Sequence, residues 1–150
     1  MKIMLCGSMT FAPEMMEAKV KLEEMGHEVK VPCDIDEHLK DASFIDNLEA
    51  NIEHAVANNV LKTCFGYIEN SDAVLFLNYP KNDIPGYVGT SSMMEMGIAF
   101  HFGKKIYLLH EPPHFNDARW AVEVNLIQPT VIDGDLTKIQ PQRPVIVELN

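Results

Sequence analysis

A chain of 150 residues, 47% hydrophobic and 23% charged, has the balance of one globular domain that buries its own core without disulfide or metal staples. Twelve Lys and Arg against 22 Asp and Glu leave a formal charge of −10. Proteins that grip nucleic-acid polymers or anionic membranes do so with clustered cations, and here the basic residues are few and dispersed, so both partners are excluded. The three cysteines, Cys6, Cys33 and Cys64, form no CxxC pair and predict neither a zinc site nor a disulfide framework. No apolar run approaches the roughly 18 residues of a membrane span, and nothing after Met1 resembles a signal-peptide core. A cytoplasmic protein of one domain, residues 1–150, is the expectation.

Ile3-Met4-Leu5-Cys6 is a short apolar run that reads as a buried strand closed by Gly7-Ser8. Pro13 suits a first helical turn, and Met15, Ala18, Leu22 and Met25 keep helical spacing until Gly26 stops it. His27 to Val31 reads as a second strand ended by Pro32. From Asp36 to Glu69 the apolar positions Phe44, Leu48, Ile52, Ala55 and Val56 approach helical spacing, which predicts one or two helices broken at Asn58-Asn59 or at Gly66. Ala73 to Leu77 is apolar throughout, as a central parallel strand should be. A loop from Asn78 to Gly89 leads to a helix capped by Thr90 or Ser91 and stopped by Gly103. A fourth strand is expected at Ile106 to Leu109, a short helix from Asn116 to Glu123 and a fifth strand near Thr130 to Ile132. The tail 141–150, with Val145-Ile146-Val147, reads as an added strand or a subunit contact.

This alternation predicts an α/β fold: a doubly wound, flavodoxin-like (Rossmann-like), five-stranded, mainly parallel sheet with helices on both faces. Ligands of such sheets bind beyond the carboxyl ends of the strands, where strand order reverses. With the order 2-1-3-4-5, that crevice lies between the first and third strands, lined by Gly7 to Phe11 and by the stretch from Asn78 to Glu95.

Within that crevice the residues of interest follow from position. Glu95 lies about one turn into the helix after the third strand, where the helix dipole favours an ionised carboxylate suited to a nucleophile or a counter-charge. The same placement describes an acidic residue that only complements the dipole. Asn78 faces the crevice from the end of the third strand. Ser8, Thr10, Thr90, Ser91 and Ser92 offer hydroxyls at loop–helix junctions, which hold phosphates or sugar hydroxyls and are also what ordinary caps look like. Asp72, at the entrance to the third strand, reads from spacing as a turn residue.

Other strings are set aside. His110-Glu111-Pro112-Pro113-His114 fits HExxH, but two prolines break the helix that would put both histidines on one face. Neither GxGxxG nor GxxxxGK[ST] follows the first strand, and GxSxG is absent, so a dinucleotide dehydrogenase, a P-loop NTPase and a hydrolase elbow are disfavoured.

Taken in order, Cys6-Gly7-Ser8-Met9-Thr10, Met25-Gly26-His27-Glu28-Val29, Ser71-Asp72-Ala73-Val74-Leu75 and, above all, Gly86-Tyr-Val-Gly89-Thr90-Ser-Ser-Met-Met-Glu95-Met-Gly97-Ile-Ala99 resemble the nucleoside 2-deoxyribosyltransferase superfamily, which includes the 2′-deoxynucleoside 5′-phosphate N-hydrolases. The resemblance covers residues 1–139. It implies that Glu95 is the nucleophile of an N-glycosidic cleavage or transfer, that Asp72 supports it, and that Gly89, Thr90, Ser91 and Ser92 hold sugar or phosphate. Gly7, Ser8, Met9, Thr10 and Phe11 would complete the substrate site, with Phe11 as the aromatic residue of the transferase branch. The arginine that the N-hydrolase branch carries in this loop is absent. A small nucleoside or nucleotide substrate, no metal or organic cofactor and a homo-oligomer, dimer or larger, follow from the same resemblance. A module of the same fold that senses a nucleotide-like ligand without turnover is the alternative.

Overall fold

The computed structural model describes residues 1–141; the expected contribution of Val145 to Val147 lies outside them. Five strands, β1 (Lys2–Cys6), β2 (Glu28–Lys30), β3 (Ala73–Phe76), β4 (Lys105–Leu108) and β5 (Thr130–Val131), form one sheet in the order β2-β1-β3-β4-β5. Every strand pair is parallel, with Ile3 opposite Val29 on one side and opposite Ala73 on the other. This is the doubly wound, flavodoxin-like order, and β1 and β3 flank the point where the chain changes direction across the sheet.

The period of two along each strand divides the core into two layers. Ile3, Leu5, Ala73, Leu75, Leu77, Tyr107 and Leu109 face α1 (Ala12–Glu24), which contributes Met15, Ala18 and Leu22. The alternate residues Met4, Cys6, Val74, Phe76, Ile106 and Leu108 face the other way. They meet Cys64 and Ile68 of α4 (Val60–Glu69), Met96 and Ala99 of α5 (Thr90–His101) and Val124 of α6 (Ala121–Ile127). Both faces of β1 from Ile3 onward and of β3 are covered, which is why Ile3 to Cys6 and Ala73 to Phe76 carry no charged or amide side chain.

Between β2 and β3 the chain builds α2 (Ile35–Lys40), a 3₁₀ turn (Ala42–Asp46), α3 (Leu48–Ala57) and α4. The expected break falls at Asn59, whose left-handed φ of 51° ends α3 and starts α4, while Gly66 stays inside α4. Asparagine tolerates that region better than most residues, so the break belongs there. α3 buries none of its residues, and Leu48, Ile52 and Val56, each one turn apart, are exposed.

Two expectations need correction. The short helix expected from Asn116 to Glu123 runs instead from Ala121 to Ile127. Asn116 stands instead in a separate turn, where its N–H donates to His114 Nδ1 (3.1 Å) and Ala118 N–H returns to the His114 carbonyl. The helix forms where Ala121 and Val124 can be buried on the sheet. Likewise, neither Thr90 nor Ser91 caps α5. The cap position is Gly89, with extended backbone and no side-chain acceptor, and Thr90 is the first helical residue.

No described helix is long and apolar enough to cross a membrane.

Candidate functional site at the switch point

A shallow cleft opens beyond the carboxyl ends of β1 and β3, at the place the strand order dictates. Gly7, Ser8 and Phe11 line it from the β1 side, Phe76, Leu77, Asn78, Tyr79 and Lys81 from the β3 side, and Gly89 and Ser92 from the start of α5. A Cβ on Gly7 would lie 3.2 Å from the Leu77 carbonyl oxygen, so a side chain there would crowd the floor of the cleft. Above that floor, Phe11 and Tyr79 pack ring against ring at 5.0 Å, and Tyr79 lies 6.0 Å from His110. Lys81 reaches across the opening and donates from Nζ to Ser8 Oγ at 2.9 Å.

Some of the expected ligand-facing groups are already occupied. Asn78 is buried, and its Nδ2 donates to the His110 carbonyl (2.8 Å) and the Gly86 carbonyl (3.3 Å) while its Oδ1 accepts from His110 N–H (2.9 Å). Its amide therefore clips the loop after β3 to the end of β4 rather than addressing a ligand. The same clip needs Gly86, where φ is +66° and a Cβ would run into the Glu111 carbonyl. Ser8 and Thr10 share a hydroxyl hydrogen bond of 3.1 Å, with Ser8 serving as cap of the 3₁₀ turn Met9–Phe11. Met9 turns toward the α1-side core, while Thr10, Thr90 and Ser91 are exposed outside the lining of the cleft.

Glu95 lies one helical turn beyond Ser92 on α5. The alternation along β1 points Cys6 to the same side, and its thiol is a hydrogen-bonding neighbour of the Glu95 carboxyl. Burial is the largest influence on this group and raises its pKa from 4.5 to about 7; the Cys6 thiol opposes that rise, and the negative charge of Asp34 adds to it. The expectation of a dipole-held anion is thus corrected, because α5 starts five residues earlier and desolvation wins.

Asp72 is not in this site. It precedes β3, at the amino end of the sheet, where its Oδ2 accepts from Lys2 N–H at 2.7 Å. Five residues of extended chain, roughly 16 Å, separate it from Leu77 at the carboxyl end. The carboxylate brought near Glu95 is Asp34, just after β2, whose Oδ2 lies 3.5 Å from the buried His38 Nε2. Sequence reading missed Asp34 and the part of Cys6, and it included Tyr79 and Lys81 only as members of the lining stretch from Asn78 to Glu95. The signal available for it was the strand order, which puts the end of β2 beside the end of β1.

Among the described residues, no group of three or more His, Cys, Asp or Glu side chains is placed to hold a metal ion. His110 to His114 are not helical, in keeping with their two prolines. A scan against protein-family models finds no match, and a search of curated proteins finds none either.

Proposed function

We propose that this protein cleaves or transfers the N-glycosidic bond of a small deoxynucleoside or deoxynucleoside monophosphate, with Glu95 as nucleophile. The observation that carries the reading is a desolvated carboxyl group, titrating at about 7, behind the ligand crevice of a flavodoxin-like sheet. A buried carboxyl whose pKa is raised toward neutrality beside a ligand crevice is a candidate for a working acid or nucleophile. The residues that resemble the deoxyribosyltransferase superfamily converge on the same place: Gly7, Ser8, Phe11, Gly89 and Ser92 line the cleft ahead of Glu95.

In its ionised form, Glu95 attacks the anomeric carbon as the carbon–nitrogen bond breaks and its electron pair leaves with the base. The positive charge that develops on the sugar is met by the same carboxylate. Water, or the nitrogen of a second base, then displaces Glu95 from the anomeric carbon. Asp34 takes the supporting role expected of Asp72, because its charge acts on Glu95 and Asp72 lies at the other end of the sheet. The Phe11–Tyr79 pair offers a ring face to the base, and Lys81 with Ser8 offers a cation and a hydroxyl to a 5′-phosphate, where the N-hydrolase branch uses arginine. The reading carries with it a homo-oligomer, dimer or larger, for which the exposed Leu48, Ile52 and Val56 of α3 supply apolar surface. Cytoplasmic residence belongs to the same proposal.

One observation favours the sensing module instead: the lining of the cleft stops at Ser92, one turn short of Glu95. A single experiment separates the two. The protein is incubated with a panel of deoxynucleosides and their monophosphates, and free base is measured by chromatography beside Glu95→Gln. Base released by the wild type alone supports the glycosidase, and added free base then separates transfer from hydrolysis. No release from any substrate, with a thermal shift on nucleotide addition, supports the sensor.

A further inference from the structure

The cysteines that stand far apart in sequence are gathered in space. Cys33 and Cys64, 31 positions apart, place their sulfurs 3.8 Å from one another. Cys33 is exposed in the short segment between β2 and α2, and Cys64 is buried on α4. The Cys33 sulfur also lies 3.9 Å from the Val60 carbonyl at the start of α4, so it rests against that helix at two points. We propose that Cys33 and Cys64 are a redox-active pair, a modification site that closes into a disulfide on reaction with a low-molecular-weight disulfide.

The geometry fits the chemistry. A bond of about 2.0 Å must replace the present contact, and Cys33 stands in a turn outside any strand or helix, where a small backbone adjustment meets that need. The exposed Cys33 thiolate attacks one sulfur of the external disulfide, breaking its S–S bond and releasing one thiol. The Cys64 thiolate then attacks the Cys33 sulfur of the mixed disulfide and expels the second thiol. Two electrons pass from the pair to the oxidant, and the two thiol protons end on the two released thiols. Burial pushes both cysteines above their ordinary range, Cys64 to about 12. Thiolate is therefore scarce at neutral pH and exchange is faster at alkaline pH. Closure would also tie the neighbouring Asp34, which acts on Glu95, to α4.

The test uses the full reduced chain, held at mildly alkaline pH with excess oxidised glutathione and then mapped by mass spectrometry without reduction. The expected product is a single crosslinked pair of peptides carrying Cys33 and Cys64, with Cys6 still a free thiol. Its thermal midpoint should rise by roughly 10 °C and return on reduction, because the bridge closes a long loop. Cys33→Ser, a change at an exposed position, should abolish both signals while leaving the reduced midpoint unchanged. Glutathione retained on Cys33, a bridge between two chains, or both thiols remaining open to alkylation would each overturn the proposal.

Discussion

Asp72 and Glu95 lie toward opposite ends of the same parallel sheet, and the contrast shows how surroundings set the character of a carboxylate. Asp72 is an exposed side chain satisfied by the Lys2 backbone N–H, a bond that ties the entrance of β3 to the start of β1. Glu95 lies toward the carboxyl end, where its largely desolvated carboxyl has the Cys6 thiol for a neighbour and feels the charge of Asp34. Desolvation, and not proximity to a strand or a motif, separates the two. The amino end of the sheet spends its acid on chain pairing, and the carboxyl end keeps its acid available.

The sharpest way to break this comparison is Glu95→Gln, which keeps the shape and removes the ionisable group. Base release should fall by roughly 10³-fold at saturating substrate, since no other described carboxylate holds its place on α5. Steady-state kinetics decide it, and retention of more than a tenth of the activity would remove Glu95 from the reaction.

Asn78→Ala comes next, and it tests the frame of the cleft. The change strips the Gly86 and His110 carbonyls and the His110 N–H of their partners at a buried position. A loss of roughly 2–4 kcal/mol is expected, because buried polar groups are left unpaired. Chemical denaturation measures it; a loss under about 0.5 kcal/mol would mean that the loop is held by other contacts.

The pH dependence sharpens the contrast from the Glu95 side. Its carboxyl has a folded pKa of about 7 against an ordinary 4.5, so the folded state prefers the protonated form. The stability this group contributes is complete below pH 4.5 and is lost as the pH rises through 7. Wild type and Glu95→Gln should therefore be close in stability at low pH. Above neutrality the Gln variant should gain on the order of 2–3 kcal/mol relative to wild type. Base release by the wild type should rise over the same interval, because the nucleophile is the anion. Parallel denaturation curves across the range, with no change in the difference between the two proteins, would contradict the burial of this carboxyl.

How far these features were legible in the sequence depends on whether they are local. The strands and the apolar layers they bury follow from runs such as Ala73 to Leu77, which local chemistry writes plainly, while the position of the crevice follows only once the common order 2-1-3-4-5 is assumed for them. The break was legible only as a choice between Asn58-Asn59 and Gly66, and the left-handed φ of Asn59 decides it. Asp34 was not, because its place near Glu95 depends on β2 lying next to β1, a pairing that joins residues 26 positions apart such as Ile3 and Val29. The amide of Asn78 looked available because its partners, Gly86 and His110, lie 8 and 32 positions away. The helix of Ala121–Ile127 was misplaced because burial of Ala121 and Val124 against the sheet, and no local start signal, sets its beginning.

The smallest effect belongs to Asp72, and its smallness is what the comparison requires. Asp72→Asn keeps an oxygen for the Lys2 N–H and should cost only about 0.5–1 kcal/mol, given an exposed hydrogen bond that water can replace. Base release should stay within about twofold of wild type, since the residue is held at the far end of the sheet, whereas Asp34→Asn should lower it by at least about tenfold. A pair of kinetic measurements settles the matter. A collapse in activity for Asp72→Asn with stability intact would place the working carboxylates at the amino end. Loss confined to Asp34→Asn would fix the reaction beside Glu95, where the strands end.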